Sequence, residues 1–150
     1  KDEKTAVEGM KSAIPLADVM KVSDEECLLM TGAATYEEAA DQLLAMGPKL
    51  VAVTLGGDGV LVATKEGKQR VQGFKVPVVD TTGAGDSFWG GFLSGFLALH
   101  KKVEDLTQEE ITRCAVQGNA TAGLCVQKRG GIPAIPTREE VEKQLEEVIA

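Results

Sequence analysis

Amphipathic stretches of helical period take turns with shorter apolar or alternating runs along this chain, so the pattern predicts helices and strands in alternation. The helical stretches run near Lys4 to Ile14, Asp24 to Met30, Tyr36 to Met46, Ser87 to His100, Gln108 to Cys125 and Thr137 to Ile149. Strands are predicted at Asp18 to Val22, Leu50 to Leu55, Val60 to Thr64 and Gln69 to Phe74, with a short one at Val76 to Val79. Gly56-Gly57-Asp58-Gly59 reads as a hairpin-like turn between two of them. Three helix starts carry a capping box, Ser23 with Glu26, Thr107 with Glu110 and Thr137 with Glu140. Gly90, Gly91 and Gly95 weaken the Ser87 to His100 helix, which implies close packing of that helix against a sheet or loop. With no repeat, low-complexity stretch or interdomain linker, the pattern defines one α/β unit.

The richest chemistry lies in Asp80 to Phe88, reading DTTGAGDSF. Gly83-Ala84-Gly85 falls at a strand-to-helix turn, where the first N–H groups of the helix lack partners and the macrodipole favours an anion. Asp86 follows in the first turn. A carboxylate there repels a phosphate but can take a proton from a hydroxyl that attacks one, so Asp86 is a candidate general base. A plain helix cap on an ordinary turn explains the same residues. Two other glycine-loop chemistries are disfavoured: the chain has no GxxxxGK[ST], and Phe88 stands where a dinucleotide fingerprint needs its third glycine.

A second constellation, Thr54-Leu55-Gly56-Gly57-Asp58-Gly59, ends a buried strand in glycines that permit close backbone approach to a ligand. A tight turn is the alternative. Ser23 and Glu26 are fully accounted for by helix capping, and Asn119 on the QGNATAG helix by a polar helix face.

Composition narrows the partners. The 150 residues are 43% hydrophobic, enough for a substantial core, and the net charge of −7 argues against nucleic acid or anionic membrane as a partner. Cys27, Cys114 and Cys125 form no CxxC pair and are expected as buried thiols in a reducing compartment, which fits a cytoplasmic protein. No apolar run reaches the length of a membrane span. Lys128 and Arg129 can offset phosphate charge or simply be solvated, His100 is expected to be structural at a helix end, and Trp89 faces either core or pocket.

DTTGAGDSF resembles the C-terminal signature of the ribokinase-like (PfkB) carbohydrate kinases, and TLGGDG from Thr54 to Gly59 resembles that family's nucleotide turn. The resemblance implies a three-layer α/β/α, Rossmann-like fold, of which this chain carries the C-terminal half without the N-terminal half and its β-sheet lid. It implies ATP and a sugar as substrates and Mg²⁺ as cofactor, with homodimer formation through the lid. It implies Asp86 as catalytic base and Gly83, Ala84 and Gly85 as the anion hole, with Thr54, Gly56, Gly57 and Gly59 around the ATP phosphates and ribose. Ser23 stands where the family's NxxE motif has Asn, Glu26 aligns with its Glu, which positions Mg²⁺ through water, and Asn119 borders the adenine. In potassium-activated relatives a monovalent cation sits beside the matching loop, which makes the Asp80 side chain and the carbonyls of Thr82, Cys125 and Gly130 candidate K⁺ ligands. Asp80 can instead orient the loop through N–H groups.

The wording KVSDEE and the GGIPAIPTREEVEKQL ending are similar to fructose-phosphorylating members, so the resemblance implies D-fructose as substrate and fructose 6-phosphate as product. Ribose, 2-keto-3-deoxygluconate and a nucleoside remain alternatives, as does a nucleotide-binding module without catalysis. Sheet edges and apolar patches are expected to lie open on this segment.

Overall fold

The computed structural model describes residues 2–149, with the side chains of Glu3, Val148 and Ile149 left undescribed. Helix α1 (Glu3–Ala13) leads into strand β1 (Val19–Ser23), followed by α2 (Asp24–Thr31), α3 (Tyr36–Ala45) and β2 (Leu50–Thr54). A hairpin of β3 (Val60–Thr64) and β4 (Gly67–Val71) follows, then α4 (Ala84–Ala98), α5 (Gln108–Cys125) and α6 (Arg138–Ile149).

The strands form one sheet in the order β1-β2-β3-β4, parallel between β1 and β2 and antiparallel thereafter. Side chains of β2 divide by the two-residue period of a strand. Val51 and Val53 join Cys27, Met30, Ala39, Ala40 and Leu43 on the α2–α3 face, whereas Leu50 and Ala52 join Phe88, Phe92, Ile111 and Ala115 on the α4–α5 face. Both faces of β2 are buried, so it reads as a near-continuous apolar run with no polar face. This mixed sheet with helices on both faces is the part of the three-layer fold that the resemblance implied.

Local signals set the boundaries. Ser23 Oγ accepts the Glu26 N–H at 3.1 Å while Glu26 Oε2 accepts the Ser23 N–H at 2.8 Å, and the boxes of Thr107 with Glu110 and Thr137 with Glu140 close in the same way. His100 ends α4 in a left-handed conformation, φ 51°, with its N–H on the Leu97 carbonyl, so it terminates the helix. Gly91 packs α4 onto another helix, α5, rather than onto the expected sheet or loop: a Cβ there would meet Thr121 Oγ1 at 2.3 Å. Gly95 is tight against Gln117 and Cys114, but Gly90 faces open space and plays no part in the close packing expected of all three. Trp89 settles on the core side, stacked on Phe92 at 5.3 Å. All three cysteines are buried free thiols.

Two expectations change. Residues 76–79 form no strand: Pro77 has no N–H, and the Val79 and Asp80 N–H groups both donate to the Val126 carbonyl at the end of α5 instead of to a neighbouring strand. Strand β4 begins at Gly67 and stops at Val71, leaving 72–80 as an arm without regular secondary structure. Large apolar side chains stand exposed on the surface, among them Val78, Val79, Leu97 and Ile135, and the outer edge of β1 has no partner strand among the described residues.

Candidate functional site

Two glycine turns that are 24 or more residues apart in sequence meet at one cavity of about 760 Å³. Thr54, Gly56, Gly57 and Gly59 line it on one side, Ala84 and Gly85 on another, and Asn119, Ala122 and Gly123 of α5 close it. The arm of 72–80 supplies the remaining wall through Phe74, Val76 and Pro77.

The first turn is shaped by a position that only glycine can hold. Gly59 has φ 98°, and a Cβ there would lie 2.1 Å from the Val71 carbonyl oxygen. Gly56 and Gly57 instead face empty space, so their backbone is open to a ligand. Thr54 Oγ1 donates to the Val22 carbonyl at 3.3 Å, tying the end of β2 to β1. Asp58 pairs with Arg70 at 3.5 Å and behaves as a turn residue.

The second turn starts α4 earlier than the sequence suggests, at Ala84 rather than Ser87. Gly83 is the N-cap in left-handed conformation, φ 79°, and its carbonyl accepts the Ser87 N–H at 2.8 Å. Ala84 N–H is taken by the Thr81 carbonyl at 3.1 Å, so it is spent inside the turn. Among the described residues Gly83 and Gly85 donate to no protein acceptor, which leaves those two N–H groups of the expected three free for an anion. Asp86 lies exposed in the first helical turn with neither hydrogen bond nor ion pair among the described residues. It opens not on the large cavity but on an adjoining recess of about 310 Å³ between α4, α5 and α6, together with Ser87 and Gly90.

The loop residues expected around a cation cluster behind this turn. Asp80 Oδ1 accepts the Thr82 N–H and Oδ2 the Gly130 N–H, each at 2.9 Å. Those bonds, Gly130 first, pull its carboxyl down to about 2. Cys125 Sγ lies 3.9 Å from the Thr82 carbonyl, and the Cys125 carbonyl accepts the Lys128 N–H at 3.1 Å. Lys128 pairs with Glu140 at 3.0 Å, so it is engaged with α6 rather than free to face a phosphate.

Asn119 is buried, and its amide donates to the Val71 and Gln72 carbonyls at 3.2 and 3.0 Å. It therefore anchors the start of the arm while bordering the cavity. Ser23 and Glu26 are locked in their capping box at the end of β1 and line neither cavity nor recess. Two features escaped the sequence reading. Strand is expected over 72–74 and 76–79, where the chain instead forms the arm, and Lys21 of β1 places its Nζ 3.0 Å from where a Cβ on Gly85 would stand.

Residues 1–138 match the pfkB family of carbohydrate kinases, and the chain belongs to that family. It is 40% identical over 140 residues to a probable fructokinase-5 of Arabidopsis thaliana, across 92% of this chain and 42% of that protein. A fructokinase from Vibrio cholerae O395, crystallised with fructose, ADP and potassium ion, shares the fold at TM-score 0.86 and 32% identity, over 97% of this chain and 46% of its own. Ribokinase from Thermotoga maritima follows at TM-score 0.76 and 35% identity, over 91% and 44%. The fold is accordingly ribokinase-like. The chain spans less than half the length of these relatives. No helix among the described residues is long and apolar enough to cross a membrane.

Proposed function

We propose that the protein transfers the terminal phosphoryl group of ATP to a sugar hydroxyl, with D-fructose as acceptor and fructose 6-phosphate as product. The observation that carries this reading is the joining of both glycine turns at one cavity, with Asp86 one residue beyond the free Gly85 N–H, in a chain of the pfkB family. Fructose as acceptor is supported by the relatives, which include a fructokinase crystallised with fructose and ADP.

In this reading the nucleotide lies along the cavity, its phosphates against Gly56 and Gly57 and its base toward Asn119 and the arm. The sugar oxygen attacks the γ-phosphorus as the bond to the β,γ-bridging oxygen breaks, and the hydroxyl proton passes to Asp86. The Gly83 and Gly85 N–H groups then face the charge that builds on the phosphoryl oxygens. Asp86 suits the role because no protein group competes for its carboxylate.

Mg²⁺ would neutralise phosphate charge. Glu26 fits a water-mediated hold on it, since the capping box occupies only Oε2 and leaves Oε1 for solvent. A monovalent cation suits the cluster behind the cradle: Asp80 is ionised at neutral pH, and neither Thr82 O nor Gly130 O accepts a backbone N–H among the described residues. No group of His, Cys, Asp or Glu dense enough to cage a metal without substrate occurs among them.

The test is Mg·ATP-dependent ADP release by the full-length polypeptide with D-fructose, ribose and 2-keto-3-deoxygluconate, beside Asp86→Asn. Turnover with fructose, lost in the variant, supports the whole reading. Turnover with another sugar keeps the chemistry and discards fructose, and none with any sugar despite nucleotide binding favours a non-catalytic module.

A further inference from the structure

Lys21 is the one Lys or Arg among the described residues that is half-buried; every other stands exposed. Strand alternation explains where it goes. Met20 and Val22 point to the α2–α3 core and Val19 to the α4–α5 core, so Lys21 follows Val19 toward α4. A lysine directed into an apolar layer must bring its ammonium to a polar boundary, and this one arrives beside Gly85.

What it meets there is not an acid. Lys49, Lys65, Lys68, Lys101, Lys128 and Arg70 each hold a carboxylate within 4 Å; Lys21 has neither ion pair nor hydrogen bond among the described residues, and of the basic side chains without an ion pair there it alone is half-buried rather than solvated. The chain carries 23 acidic against 16 basic side chains, so acids are not scarce. The ammonium also stands at the positive end of the α4 dipole, beside N–H groups of the same sign. Cation, dipole and two free N–H donors at one point repel one another until an anion lies between them.

The geometry points to Lys21 as a catalytic residue: with the Gly83 and Gly85 N–H groups it grips the terminal phosphoryl group of the nucleoside triphosphate, in the ground state and in transfer. This rests on reading the site as that of a kinase. The smallness of Gly85 belongs to the same arrangement, because a side chain there would occupy the ground between ammonium and phosphate.

The decisive comparison is binding of AMP-PNP and of AMP to the full-length protein and to Lys21→Met and Lys21→Arg, by calorimetry. Lys21→Met is expected to lose about 10- to 100-fold in affinity for AMP-PNP, with AMP unchanged and Lys21→Arg recovering most of the loss. Equal loss for both nucleotides, or none for either, overturns the assignment. A second readout needs no variant: acetic anhydride labelling of Lys21 in the unmutated protein, followed by peptide mass spectrometry, is expected to be blocked by AMP-PNP and not by AMP. Labelling indifferent to AMP-PNP overturns it as well. Absence of sugar turnover in the unmutated protein defeats the proposed function alone, because both readouts report on phosphate binding without it.

Discussion

Asp80 clasps two parts of the chain at once: the Gly130 N–H, 50 residues downstream, donates to its Oδ2 at 2.9 Å while the Thr82 N–H donates to its Oδ1. The clasp pins the turn that ends in Gly83 against the loop after α5, and so fixes the direction of the free N–H groups in the cradle. The carboxyl is held at about 2 against an ordinary 3.8. A depressed folded-state value adds stability that is fully present above the unfolded value and is lost as pH falls through the folded one. Melting curves of the wild type and Asp80→Asn from pH 7 to pH 2 are therefore expected to differ at neutral pH and to converge between about 4 and 2. A gap that stays constant over that range would mean the carboxylate charge has no part in the clasp.

Gly59 and Gly57 sit two residues apart and make opposite predictions. Gly59→Ala forces a side chain into φ 98° and onto the Val71 carbonyl, so a loss of about 2 kcal/mol or more is expected, a fall in melting temperature of roughly 4–8 °C. Gly57→Ala meets nothing within 4 Å and is expected to stay within about 0.5 kcal/mol of the parent, while weakening nucleotide binding by filling the cavity floor. Thermal melts with and without ATP separate the two effects.

This pair also marks how far the sequence could be read. Capping boxes were legible because they are settled within four residues; the layers were implied by the resemblance that DTTGAGDSF and TLGGDG carry, since the wholly apolar β2 does not itself say which side chains face which layer. Residues 76–79 misled because a β-branched run reads as a strand whether or not a neighbour exists to pair with it; Val126 at the end of α5, not a strand, holds that backbone. Gly90 and Gly91 look alike in the sequence, yet only Gly91 meets α5. Lys21 had no signal of its own, since its meaning lies in the absence of an acid beside it.

The thiols test the packing of both cores. Cys27 and Cys125 are fully enclosed and Cys114 nearly so, and burial pushes the Cys27 and Cys114 thiols above their ordinary range. Reaction with Ellman's reagent at pH 8 is expected to be slow for all three in the folded protein and complete in guanidinium. A thiol that titrates within seconds under native conditions would show that its core is open.

Asp86 allows stability and chemistry to be separated cleanly. Its side chain lies exposed and makes neither hydrogen bond nor ion pair among the described residues, so the polar gain to the fold is only the favourable placement of an acid at the start of α4. Asp86→Asn is expected to cost under about 1 kcal/mol of stability. If the residue accepts the sugar proton, the same change lowers kcat by about 10²- to 10⁴-fold with the KM for ATP little altered, because the amide cannot take up that proton. Melting and steady-state kinetics on one preparation of the full-length polypeptide read both quantities. A variant that retains a third or more of its turnover would remove Asp86 from the mechanism, and a variant that loses turnover together with its fold would show that the side chain supports the turn instead.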